Sequence, residues 1–68
     1  MVWTWERIVE LNKLICDVSG QPHAVREAVH SSIPEKDLPA WIANNHPFVE
    51  GNKRTGACIA ICLALKDV

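Results

Sequence analysis

The stretch His46-Pro47-Phe48-Val49-Glu50-Gly51-Asn52-Lys53-Arg54-Thr55-Gly56 decides the reading of this 68-residue chain. It holds a titratable base, a carboxylate, a Gly-Asn turn and two adjacent cations, and residues 57–65 after it carry no charge. A polar turn feeding an apolar helix leaves backbone N–H groups free to meet an anion. Lys53 and Arg54 at such a helix start oppose the positive end of the helix dipole, each by about a few tenths of a kcal/mol. A bound phosphate would reverse that penalty. Gly51 lets the main chain approach an anion closely, and Asn52 can donate through its amide. Glu50 suits Mg²⁺ bridging carboxylate and phosphate oxygens. His46 is the natural proton acceptor for a hydroxyl nucleophile, and Phe48 reads as a core anchor. On spacing alone the same residues also fit a solvated turn whose charges face water. The Gly-x-x-x-x-Gly-Lys-[Ser/Thr] loop is absent, so no P-loop fold is implied.

Working outward, the spacing predicts a helix over 54–66, apolar on nearly every face and therefore suited to the middle of a core. Before the motif, Asp37 as cap and Pro39 in the first turn predict a short helix carrying Ala40, Trp41, Ile42 and Ala43, ending at Asn45-His46-Pro47. At the N-terminus Thr4 is a cap, with Glu6 in the first turn. Trp5, Ile8, Val9, Leu11, Leu14, Ile15 and Val18 then recur at helical spacing, with Glu6, Arg7, Glu10, Asn12, Lys13 and Asp17 as the polar side. Ser19-Gly20 and Pro22 end that helix. Residues 21–32 allow a short helix with Ala24, Val25, Ala28 and Val29 inward, and His23 and His30 read as surface or edge residues. The fold class is all-α: a small helical bundle with the motif loop between two helices.

Composition narrows the functions. Seven basic against eight acidic residues give a net charge of −1, which argues against general nucleic-acid binding. The three cysteines are odd in number and lack framework spacing. Cys58 and Cys62 read as small apolar fillers on one helix face, and no histidine cluster suggests zinc. No signal peptide or membrane-spanning run is visible, so the expected setting is cytoplasmic, as one small domain over 1–68.

The motif closely resembles the active-site signature of the Fic/Doc (Fido) family, His-x-Phe-x-[Asp/Glu]-[Gly/Ala]-Asn-[Gly/Lys]-Arg, filled here by His46, Phe48, Glu50, Gly51, Asn52, Lys53 and Arg54. Lys53-Arg54-Thr55 looks like the death-on-curing (Doc) branch, the toxin half of a toxin–antitoxin pair. Leu11-Asn12-Lys13 and Ser19-Gly20-Gln21-Pro22-His23-Ala24-Val25-Arg26 look like the N-terminal part of that branch. The resemblance implies His46 as general base on a target hydroxyl, Glu50 as the Mg²⁺ ligand, and Gly51, Asn52, Lys53 and Arg54 on the phosphates of ATP. Phe48 would lock the loop into the core. It also implies an antitoxin as partner and a protein substrate such as a translation factor.

Two departures shape the expectation. Members that transfer AMP carry a second glycine and a second arginine where this chain has Lys53 and Ala57. That favours transfer of the terminal phosphoryl group over AMP transfer. Family domains are also longer, so the resemblance implies a shortened, partial Fido core. A non-catalytic remnant acting as a binding module, or self-association through the apolar last helix, are the alternatives.

Overall fold

A computed structural model describes residues 3–26 and 33–66. It contains three α-helices, α1 (Trp5–Ser19), α2 (Leu38–Asn45) and α3 (Asn52–Lys66), with a 3₁₀ turn at Glu35–Asp37 leading into α2. The fold is all-α, as the periodicity requires. Thr4 caps α1, its hydroxyl accepting the Arg7 N–H at 3.3 Å. Gly20 closes it in the left-handed region at φ +73°, and the Gly20 N–H reaches Cys16 O. Pro39 sits in the first turn of α2, where its missing N–H costs nothing. Asp37 makes no side-chain cap. The 3₁₀ turn takes over that role by running directly into the helix, with the Asp37 N–H on Pro34 O at 2.9 Å.

The core is formed by Ile8, Leu38, Ile42, Phe48 and Ile59, with Trp3, Trp5, Val9, Leu11, Ile33, Trp41 and Leu63 packed around it. Phe48, wholly buried, stacks on Trp5 with ring centroids 5.6 Å apart and planes within 5° of parallel. Such a pair adds about 0.5–1.5 kcal/mol to the burial itself. Helices α2 and α3 approach closely at Gly56, where an added Cβ would lie 2.9 Å from Pro39 O.

The structure departs from several expectations of the sequence. The buried stripe of α1 is Ile8, Asn12 and Cys16, so Asn12 faces inward, while Leu14 and Val18 are 62% and 83% exposed. No helix begins over 21–26. Val25 instead forms an antiparallel bridge with Phe48, and the rest of that stretch, 27–32, lies outside the described residues. Cys58 is half-buried and Cys62 exposed, whereas Cys16 is the buried thiol, and all three are free. Helix α3 buries Thr55, Gly56 and Ile59 but leaves Ile61 60% and Leu65 67% exposed. Helices α1 and α2 cover one side of it only. No helix among the described residues is long and apolar enough to cross a membrane.

Glu35 ties the two ends together, accepting the Trp3 N–H at 3.3 Å and pairing with Lys66 Nζ at 3.3 Å. The Trp3 N–H, and after it Lys66, hold this carboxyl below its ordinary value.

Gly56→Ala should destabilise the fold by about 1–3 kcal/mol in denaturant unfolding, because the methyl forces α2 and α3 apart against a helix-propensity gain of about 1 kcal/mol. Glu35 carries a depressed folded-state value, so its contribution is present near neutrality and is lost as pH falls through that value. Glu35→Gln should therefore lose stability relative to the native chain at pH 6–7 and match it well below about pH 4.

Candidate functional site

The motif loop begins at His46, which closes α2 in the left-handed region at φ +49°, its N–H on Ile42 O at 3.1 Å. It is the only non-glycine residue with positive φ among those described. That turn ends α2 and leaves the imidazole exposed at a cleft. Pro47 and Phe48 follow as buried residues. Two main-chain bonds clip the loop to the segment after α1: Arg26 N–H to Pro47 O at 2.7 Å, and Val49 N–H to Ala24 O at 3.0 Å. The Asn52 side chain closes the loop from the other end. Its Oδ1 accepts the Phe48 N–H at 3.0 Å and its Nδ2 donates to Phe48 O at 2.8 Å.

Gly51 precedes α3 at φ +79°, and the first helical bond runs from the Thr55 N–H to Gly51 O at 2.8 Å. The N–H groups of Asn52, Lys53 and Arg54 therefore have no acceptor inside the helix. They belong to a cleft of about 370 Å³ whose walls include Arg26, His46, Glu50, Gly51, Asn52, Lys53 and Arg54. That volume lies within the range of small-ligand sites. Arg26, Lys53 and Arg54 line the cleft without an acidic partner among the described residues, and Glu50 is the carboxylate of its lining. A chain of net charge −1 thus concentrates positive charge at one place.

Behind the cleft lies a residue that sequence periodicity hides. Asn12, fully buried, donates from Nδ2 to Glu50 O at 2.9 Å and to Thr55 Oγ1 at 3.1 Å. Its Oδ1 accepts from Cys16 Sγ at 3.7 Å and lies 2.8 Å from His23 Nδ1. One amide therefore joins α1, the motif loop, α3 and the segment after α1. Burial, and after it the charges of Glu50 and Asp17, push the Cys16 thiol up, so it stays a protonated donor rather than a nucleophile.

The structure places the residues singled out in the motif on one loop and the first turn of α3 after it, although it distributes their work differently. His46, Glu50, Gly51, Lys53 and Arg54 line the cleft. Phe48 anchors from below. Asn52 has its amide engaged with Phe48, which leaves its backbone N–H as the group nearest an anion role. Arg26, Asn12 and His23 are additions that spacing within the motif does not reveal. Arg26 reaches the cleft through the backbone bridge, which only the tertiary structure discloses. A single carboxylate in the cleft does not make a resident metal site, and no group of three ligating side chains exists among the described residues. It does fit Mg²⁺ that arrives on a nucleotide, since that ion keeps several waters and takes one or two carboxylates plus phosphate oxygens.

A sequence model of the Fic/DOC family matches residues 6–64. The chain belongs to the Fic/DOC family. The match runs from the first turn of α1 to the last turns of α3, so it includes Asn12 and the segment after α1 as well as the motif. Membership of the Fic/DOC family points to protein-modifying transfer chemistry in general terms. No curated protein and no solved structure matches the chain.

The two positive-φ glycines separate strain from contact. At Gly20 an added Cβ meets nothing within 4 Å, whereas at Gly51 it would lie 3.1 Å from Asn12 Nδ2 and 3.4 Å from Cys16 Sγ. Gly20→Ala should cost about 1 kcal/mol from backbone strain. Gly51→Ala should cost about 2–4 kcal/mol, because it also displaces the Asn12 amide. Urea unfolding of the pair measures the difference.

Proposed function

We propose that this chain is a death-on-curing-type member of the Fic/DOC family, transferring the γ-phosphoryl group of ATP to a hydroxyl of a protein target such as a translation factor. The observation that carries the reading is the convergence of His46, Glu50, Lys53, Arg54 and the free N–H groups of α3 on one cleft. In this reading α3 receives the nucleotide phosphates at its N-terminus, where dipole and N–H groups favour an anion. Lys53 and Arg54 then offset phosphate charge instead of opposing the dipole. Arg26, which also lines the cleft, adds a third cation. Glu50 would hold Mg²⁺ carried on the nucleotide, and that ion supplies charge neutralisation at the phosphates.

His46 takes the proton of the target hydroxyl as its oxygen attacks the γ-phosphorus. The bond from that phosphorus to the β–γ bridging oxygen breaks, and ADP leaves. Catalysis of this kind consists of positioning and charge stabilisation. The γ mode is favoured over AMP transfer by Lys53 and Ala57, which stand where AMP-transferring members carry glycine and arginine. A toxin of this type acts in the cytoplasm and is restrained by an antitoxin protein.

A second reading draws on the exposed apolar side of α3, with Ile61 and Leu65 open to solvent. There the chain is a shortened Fido core whose open side is covered by a partner or a second copy, and it binds rather than catalyses. Nucleotide binding without transfer would favour it.

The test is label transfer to purified translation factors from ATP labelled at the γ or the α position. The expected result is γ-label on the target, reduced by about 10²–10⁴-fold in His46→Ala. Label from the α position on the target would overturn the phosphoryl mode.

A further inference from the structure

The amide of Asn12 and the imidazole of His23 are absorbed by no step of the proposed reaction, yet they sit directly beneath it. An amide side chain is two-fold ambiguous about its last torsion, and its orientation follows from its partners. Glu50 O can only accept, so the Asn12 atom 2.9 Å from it is the NH₂ group. The other atom is then the carbonyl oxygen, and His23 Nδ1, 2.8 Å away, must carry a hydrogen. Thr55 Oγ1 is a hydroxyl and accepts either orientation. The Cys16 thiol at 3.7 Å is a weak donor. His23 is therefore the strong donor that locks the amide.

The orientation matters at the cleft. Across a trans peptide the N–H points opposite to the C=O. The Glu50 carbonyl points at α1, so the Gly51 N–H points away from α1, and Gly51 lines the cleft together with Asn52, Lys53 and Arg54. The same amide holds Thr55 in the first turn of α3. We infer that His23 is a positioning residue for the anion-binding turn, acting through Asn12 on the Glu50–Gly51 peptide and on Thr55. His23 is itself held by the backbone clip at Ala24 and Arg26 and leans against Phe48 at 6.2 Å between ring centroids. The motif loop and its lock therefore assemble together. The ligand arm of the test below rests on the proposed nucleotide site, whereas the ligand-free arm does not.

The experiment compares His23→Ala with His23→Asn, whose side-chain NH₂ can occupy the Nδ1 position and keep the donor. His23→Gln, of similar bulk but with its donor displaced, stands in should the alanine variant not fold. In ligand-free protein, His23→Ala should shift the ¹H–¹⁵N resonances of Gly51, Asn52 and Lys53 while leaving Leu63 in place, and His23→Asn should return them toward their native positions. Calorimetry with ATP and Mg²⁺ should show affinity weakened about tenfold or more by His23→Ala, the effect of one lost buried hydrogen bond, and recovered to within about threefold by His23→Asn. Unmoved turn resonances in His23→Ala, or His23→Asn no better than His23→Ala, would overturn the inference. Shifted and rescued resonances in a native chain that binds no ATP would support the positioning role and count against the nucleotide reading alone.

Discussion

The arrangement depends on one buried amide. Asn12 sits in the middle of the inward stripe of α1, between Ile8 and Cys16, with no exposed surface. Four neighbours satisfy it: Glu50 O, Thr55 Oγ1, Cys16 Sγ and His23 Nδ1. A buried polar group in this position stabilises one arrangement and penalises others, since each partner lost leaves a desolvated donor or acceptor costing about 1–3 kcal/mol. Among the described residues no buried side-chain polar atom lacks a partner. The motif loop is thus anchored from α1 by hydrogen bonds and from below by the Trp5–Phe48 stack, and its own Asn52 closes it on Phe48.

That division of labour explains how a loop with so many polar groups stays in one conformation. Its apolar members, Pro47 and Phe48, are buried. The main-chain groups on either side are bonded to 24–26. What remains for the cleft is a set of groups without internal partners: the N–H groups of the first turn of α3, the cations Arg26, Lys53 and Arg54, and the side chains of His46 and Glu50. The scaffold is complete on this side and open on the other. Leu14, Val18, Ala57, Cys58 and Ile61 line an apolar groove between α1 and α3, with Leu65 exposed further along α3.

Much of this was legible from residues alone. Thr4 and Gly20 mark the ends of α1, Pro39 marks the start of α2, and the motif places a loop before α3, because caps and prolines act locally. Asn12 was not legible, because periodicity assigns a polar residue to the outer face and cannot know that a carbonyl 38 positions later needs a donor. His23 was hidden for the same reason. Val25 sits in a segment whose short-range pattern suits a helix, yet its backbone pairs with Phe48, a long-range contact that outweighs weak local propensity. Cys58 and Cys62, read as apolar fillers, are half-buried and exposed, because burial on α3 is set by how much of it α1 and α2 cover, which spacing does not encode. The polar and cationic make-up of the loop was legible as chemistry, whereas Arg26 joins the cleft only through the backbone bridge that carries it.

The proposed site for a metal-bearing nucleotide stands on the Asn12-held turn and Glu50 together. Calorimetric titration of the chain with ATP, with and without Mg²⁺, and of Glu50→Gln under the same conditions, tests it most directly. The expected result is binding that Mg²⁺ strengthens in the native chain, and loss of that strengthening in Glu50→Gln. Binding that is absent, or indifferent to both Mg²⁺ and the Glu50 carboxylate, would contradict it.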